Sequence, residues 1–234
     1  MLRGWSGPMD QGGRRSNRLL NAPEPRAGLD RRRRRREETI EEITSVAIEV
    51  MAQDGVAGLS LSEVARRIGI QPPSLYKYFP SRLSLYDELF RRGAREALAV
   101  FRLAVAQARP GWSALAGGLE AIMRWGHEHQ VTGQLLYWRP VPGFEPSAEA
   151  FAPSVELIAE VRGLLQAAAD RGELHPAAAS EEGEALLSVL IAGVMSQQLA
   201  NEPHASWEHG RFTSLTPRVL QLFQRAYPPE RGER

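Results

Sequence analysis

The chain has 234 residues, with 29 basic and 28 acidic side chains, 43% hydrophobic residues and no cysteine. That length allows one or two domains with a real core, and the composition excludes collagen, coiled coil and wholesale disorder. The missing thiols exclude disulfides, thiolate metal sites, cysteine nucleophiles and iron–sulfur clusters. The net charge of +1 hides an asymmetry: residues 1–36 hold eleven arginines against Asp10, Glu24 and Asp30, a net of +8, leaving −2 over residues 37–95 and −5 over residues 96–234. The excess positive charge therefore sits in an N-terminal arm suited to a polyanion.

Residues 1–30 mix Gly, Pro, Ser, Asn and Arg without periodicity and read as disordered, so that residues 1–36 form a basic arm ending in the run Arg31–Arg36. Two readings of the arm stand side by side, a DNA-gripping segment and a solvated extension with translation starting downstream. Glu37, Glu38, Glu41 and Glu42 favour a helix start by their charge, and Ile40, Ile43, Ala47 and Val50 continue it to about Gln53, with Gly55 as its end. Ser60-Leu61-Ser62-Glu63 has the form of a capping box, with Leu59 and Val64 placed as a hydrophobic staple, and Gly69 closes this second helix. Pro72 and Pro73 suit the first turn of a third helix running to about Phe79, which Pro80 closes.

A long helix follows from Arg82 to about Arg109, with Ser81 placed to cap it. Further helices are predicted at Trp112 to His129, Val131 to Trp138, Ser147 to Arg171, Ser180 to Asn201 and Phe212 to Ala226. No segment alternates with period two, so the expected fold class is all-α. The longest mainly apolar stretch, Ala185–Met195, falls short of the ~18 residues a membrane span needs, and the N-terminus lacks the apolar segment of a secretory signal. A cytoplasmic location without a membrane partner is expected.

Two short helices joined by about four residues form a helix-turn-helix pattern, whose second helix offers Ser74, Tyr76, Lys77 and Tyr78 around a buried pair, Leu75 and Phe79. Gly55-Val56-Ala57-Gly58-Leu59-Ser60, Val64-Ala65-Arg66-Arg67-Ile68-Gly69-Ile70 and Ser74-Leu75-Tyr76-Lys77-Tyr78-Phe79-Pro80-Ser81-Arg82-Leu83 resemble the DNA-binding domain of the TetR family of bacterial transcriptional repressors. The resemblance implies a three-helix DNA-binding domain over 37–95, a helical effector-binding and dimerisation domain over 96–227 and a tail at 228–234. It also implies an inverted-repeat DNA operator, a homodimer, a small apolar effector, no cofactor, no metal and no enzymatic activity.

The DNA-binding residues it implies are Ser60, Ser62, Pro73, Ser74, Tyr76, Lys77, Tyr78 and Arg82. Tyr76, Tyr78 and Arg82 are assigned to phosphates and Ser74 to bases. Arg82 and Tyr78 stand where the family usually has Lys and often has His, and Pro72, where many members are polar, brings no side-chain donor. Arg66 and Arg67 read as a solvated helix face.

Similarity weakens beyond residue 96, although Ala121–Trp138 resembles one subgroup of the family's C-terminal domains. The resemblance implies an apolar pocket there, with Trp112, Met123, Trp125, Tyr137, Trp138 and Phe151 as candidate lining. A filled core is the plain alternative for each of them. His127 and His129, two apart on a helix, point some 200° apart and do not suit one metal ion. The segments 180–201 and 212–226 are too apolar for lone surface helices, and in the family such a pair forms the four-helix dimer interface. Competing classes are a constitutive DNA-binding protein without effector and a helical enzyme, for which no catalytic motif is present.

Overall fold

A computed structural model of the protein describes residues 25–230, with side chains from Asp30 onward. Nine α-helices and no strand occur among the described residues: α1 Pro25–Asp54, α2 Leu61–Arg67, α3 Pro72–Leu75, α4 Arg82–Ala106, α5 Trp112–Glu128, α6 Gln130–Tyr137, α7 Ala148–Asp170, α8 Glu181–Asn201 and α9 Thr216–Ala226. Residues up to Thr39 form one compact unit, and those from Ile40 onward a second.

In the first unit, Arg31–Arg36 are helical, because α1 begins at Pro25 and not near Glu37. The disorder expected over residues 1–30 lies outside the described residues up to position 24 and gives way to helix from Pro25. Arginine is a good helix former, and an i,i+4 pair between Arg33 and Glu37 at 2.8 Å supports the turn.

The second unit is built on three apolar clusters. The first joins Ile43, Ala47, Val50 and Met51 of α1 to Leu61, Val64 and Leu75 and to Leu85, Tyr86, Leu89 and Phe90 of α4. It also takes in Leu135 of α6 with Val141, Phe144 and Ala150, which come from beyond the helix-turn-helix. The second gathers Phe101, Leu115, Leu119, Leu165, Leu187 and Phe223 from five helices. The third consists of Met123, Val194, Met195 and Trp207. Helix α4 serves both ends, since its buried stripe runs from Leu85 to Phe101 without a break. The boundary expected at 95/96 therefore falls inside one helix.

Caps set the local geometry. Ser60 Oγ accepts the Glu63 amide at 3.4 Å, as the sequence pattern predicts, and Leu59 and Val64 are both buried in the first cluster. The box is only half closed, because the Glu63 carboxylate turns away to Arg66 and Arg67. A complete box occurs at α4, where Ser81 and Ser84 exchange side-chain and backbone bonds at 3.1 Å each way. Gly69, with φ 72°, ends α2 in the left-handed region that a Cβ disfavours.

Tyr86, fully buried, donates its hydroxyl to the Val56 carbonyl at 2.5 Å and so ties α4 to the loop before α2. Burial pushes its phenol up from the ordinary value, which keeps the proton available for this bond. Tyr86→Phe is expected to strand the Val56 carbonyl and cost about 1–3 kcal/mol of unfolding free energy in a urea melt. An unchanged midpoint would show that water takes over the carbonyl.

Helix α8 is long and apolar enough, by length and composition alone, to cross a membrane, with a window of mean hydropathy 1.2 over Glu181–Asn201. The window exceeds the Ala185–Met195 stretch because it takes in the weakly polar residues that flank it. The helix buries Leu187, Val194, Met195 and Gln198 against the protein and opens on Glu181, Glu182 and Glu184. Gln198 organises the connection to α9: its Oε1 accepts the Phe212 and Thr213 amides at 3.1 and 3.2 Å, and its Nε2 donates to the Glu202 carbonyl at 2.7 Å.

Candidate nucleic-acid interface and interior cavity

The helix-turn-helix places α3 through its buried residue Leu75 and the following Phe79, both in the first cluster, with Pro72 and Pro73 at the first two helical positions. Regular α-helix ends at Leu75. The chain continues as tight turns to Phe79, with Lys77 N–H donating to the Ser74 carbonyl and Tyr78 N–H to that of Leu75, so the third helix is shorter than the sequence predicts. Pro80 lies just beyond, where no further helical amide is available.

On this surface Ser62, Pro73, Tyr76, Lys77 and Arg82 are exposed, and Ser60 and Ser74 half-exposed. Tyr76 is 50% exposed, so its ring is not held in the core. Tyr78 differs: it is half-buried and packs against the first cluster. Lys77 and Arg82 form no ion pair among the described residues, whereas Arg66, Arg67, Arg91 and Arg92 all do. Around the helix-turn-helix, the cations of α2 are thus paired and those beside α3 are left open.

Glu63 makes that division. It accepts Arg66 Nε and Nη2 at 2.8 and 2.7 Å and Arg67 Nε at 2.7 Å, and Arg67 also reaches Gln53. Hydrogen bonds from Arg66 and then Arg67 pull its carboxyl from 4.5 down to about 2. A folded-state value below the unfolded one means that any stabilisation is complete above about 4.5 and is lost as the pH falls towards 2. The group is open to solvent, so the effect on stability is screened. The titration is the cleaner readout. A carbon-detected NMR titration should place the Glu63 midpoint near 2, and Arg66→Gln/Arg67→Gln should return it to the ordinary glutamate range.

The C-terminal half holds a cavity of about 570 Å³. Its walls are Leu119, Ile122 and Met123 of α5, Tyr137 and Trp138 at the end of α6, Leu157, Ile158, Val161 and Arg162 of α7, and residues of α8 from Glu181 to Met195. Of the six candidate lining residues, Met123, Tyr137 and Trp138 are in these walls and three are not. Trp112 stacks on Phe223 at 5.7 Å in the second cluster. Trp125 is buried and stacks on His129 at 5.2 Å. Phe151 sits at the N-terminal end of α7 against Phe90, 6.0 Å between ring centroids. In each case an aromatic ring found a protein partner nearer than the cavity.

Trp138 is fixed by its Nε1–H donating to Ser196 Oγ at 2.9 Å, and Tyr137 meets it edge to face at 5.9 Å. The Tyr137 residue is 46% exposed, its hydroxyl has no hydrogen-bond partner among the described residues, and the apolar surroundings of that hydroxyl push its phenol up to about 12. Arg162 and Glu184 form a bidentate pair at 2.5 and 2.8 Å, which holds the carboxyl below its usual range. No sequence spacing announces this pair, because its members lie on different helices. The histidines go elsewhere: His127 Nε2 lies 2.8 Å from the Ala205 carbonyl and His129 Nδ1 2.9 Å from that of Trp125.

Two features connect the cavity to the helix-turn-helix. Leu135 of α6 is buried in the first cluster, two and three residues before the cavity-lining Tyr137 and Trp138. Ser147, which caps α7, donates its amide and hydroxyl to Asp87 of α4 at 2.7 and 2.8 Å.

A capped helix, a glycine turn, a proline-opened helix and unpaired cations beside it define a helix-turn-helix DNA-binding protein. Residues 43–89 match the sequence model of the bacterial regulatory proteins of the tetR family, which identifies this segment as a DNA-binding domain of that kind. No curated protein sequence matches the chain well enough to count as a relative. Solved structures share its fold. SCO4313, a candidate regulatory protein, is 24% identical with TM-score 0.65, over 82% of this chain and 97% of that one. The TetR family transcriptional regulator PfmR from Thermus thermophilus is 18% identical with TM-score 0.61, over 81% and 99%. FadR from Bacillus subtilis, solved in complex with stearoyl-CoA, is 15% identical with TM-score 0.60, over 79% and 97%.

Proposed function

We propose that the protein is a ligand-responsive repressor that binds an inverted-repeat operator as a homodimer in the cytoplasm and releases it when a small, largely apolar effector enters the C-terminal cavity. The observation that carries this reading is the double duty of α6, with Leu135 in the core of the DNA-binding domain and Tyr137 in the cavity wall. A ligand that reorders Tyr137 and Trp138 acts on the helix that supports the helix-turn-helix. The coupling can be as large as the difference in ligand affinity between the two conformations. FadR, of the same fold, was solved with stearoyl-CoA, which supports a ligand role for this half.

On DNA, Tyr76, Lys77 and Arg82 contact phosphates, and Ser74 and Pro73 approach base edges, with Ser60 and Ser62 at the start of α2 facing the backbone. Tyr78 contributes mainly by holding the turn. Arg82→Ala is expected to weaken binding to all sequences and to lower the slope of log affinity against log salt by roughly 0.9, while Ser74→Ala shifts base preference at fixed slope. Fluorescence anisotropy on an operator found by footprinting measures both. The regulatory reading is tested in the same assay, by adding compounds that raise the melting temperature of the protein. Ligands that stabilise the protein yet leave operator affinity unchanged would reduce it to a constitutive DNA-binding protein.

A further inference from the structure

We propose that the effector is a lipophilic cation, an amine or quaternary ammonium compound with an extended apolar body, and not a carboxylate or phosphate. This rests on the reading of the cavity as the effector site and adds the chemical class it takes.

The charges in the cavity wall carry the argument. Besides Tyr137 the ionisable lining residues are Arg162, Glu181 and Glu184, a formal charge of −1. The one cation in this lining is paired, with Arg162 Nε and Nη2 on the two oxygens of Glu184 and its outer edge still open to solvent. An anionic ligand at Arg162 would share that cation with Glu184, only 17% exposed, and would lie beside two carboxylates for one guanidinium. Glu181 is different. It lines the cavity, is exposed and forms no ion pair within contact distance among the described residues, although Arg162 feels its charge, so a cation meets a carboxylate there that no side chain covers.

The rest of the lining suits the body of such a molecule. Leu119, Ile122, Met123, Leu157, Val161 and Ile191 supply apolar wall. The cavity follows α8 from Glu181 to Met195, roughly 20 Å at 1.5 Å per residue, so the site is elongated with its acidic group at one end. At the other end stand two aromatic side chains, Tyr137 and Trp138, the second with its ring orientation fixed by Ser196. Aromatic faces attract cations, and the other end carries two carboxylates against one guanidinium, so neither end calls for an anion.

The test uses the full chain and three probes of one tail length, dodecyltrimethylammonium, dodecanol and dodecanoate, each below its micelle concentration. Binding is read by isothermal titration and tryptophan fluorescence. Dodecyltrimethylammonium is expected to bind roughly tenfold or more tighter than dodecanoate, with dodecanol between them. Glu181→Gln should shrink that ratio and Arg162→Gln should enlarge it. Ala192→Trp, which fills the cavity from its α8 wall, should abolish binding of all three and so exclude surfactant adsorption elsewhere. Dodecanoate binding as tightly as the ammonium, or a ratio that ignores Glu181→Gln, overturns the proposal while leaving the cavity an effector site. Binding by no probe, or binding that Ala192→Trp leaves intact, overturns both. Cation-selective binding without any change in operator affinity upholds the ligand class and removes the regulatory role.

Discussion

Val189→Glu combined with Leu222→Glu is expected to turn the protein into a monomer and to lower operator affinity by roughly a thousandfold or more, to the level of non-specific binding. Helix α8 is apolar on two sides. Leu187, Val194 and Met195 are buried in the protein, yet Leu186 and Val189 remain 36% and 67% exposed. On and just before α9, Leu222 and Leu215 are 51% and 43% exposed, while Leu220 and Phe223 are buried. A helix apolar all round belongs in an interior, and in the proposed homodimer a second copy of α8 supplies the other one. Two carboxylates in that seam would be buried against their symmetry mates, which is far costlier than the separation of the chains. A monomer presents one recognition helix and loses the second half-site of an inverted repeat. Sedimentation velocity and anisotropy decide it together: a double variant that stays dimeric and binds normally would place the interface elsewhere.

Deleting residues 1–36 is expected to make binding far less sensitive to salt while leaving base preference largely intact. Arg31–Arg36 occupy six consecutive positions of a helix, which at 100° per residue run all the way round it. About half of them can face one phosphate backbone, so the arm contributes roughly three phosphate contacts and roughly 2.7 to the salt slope. Between 50 and 200 mM salt that term alone changes affinity by roughly 40-fold. Affinities measured across this range for the full and shortened chains give the two slopes, with a circular-dichroism melt to verify that the shortened chain folds. Equal slopes would assign the arginines to solvent.

The DNA-binding half was legible because its signals are local. A serine cap, a staple, a glycine at positive φ and a pair of prolines each act within a few residues, and the structure finds them where the sequence puts them. Local rules failed where two of them competed. Acidic residues near Glu37 mimic a helix start, but the arginines before them are equally good helix formers, so α1 begins twelve residues earlier, at Pro25. Glu63 had two suitors, its own cap amide and two arginines one turn on, and the charged pair won.

The cavity was legible only in part, for a different reason. Aromatic content predicts a residue that wants burial, not which partner provides it. Trp112 and Trp125 satisfied that demand against Phe223 and His129, whereas Tyr137 and Trp138 end a helix whose next turn is missing and so face open space. The groups that set the charge of the site, Arg162, Glu181 and Glu184, look in the sequence like ordinary surface residues, and only the approach of α7 to the start of α8 gives them a role.

The unbroken course of α4 bears on how this protein can be taken apart. Its 25 residues supply the fourth wall of the DNA-binding core and the first wall of the domain behind it. No linker separates the two functions, so neither can be excised as a cassette: a cut near residue 95 would open a helix in mid-turn and expose Ala94, Ala97 and Leu98 together. A chimera that grafts a new sensor onto this reader must inherit the whole of Arg82–Ala106, together with Asp87 and the serine it holds. The same continuity makes the specificity of one half evolve under the packing constraints of the other.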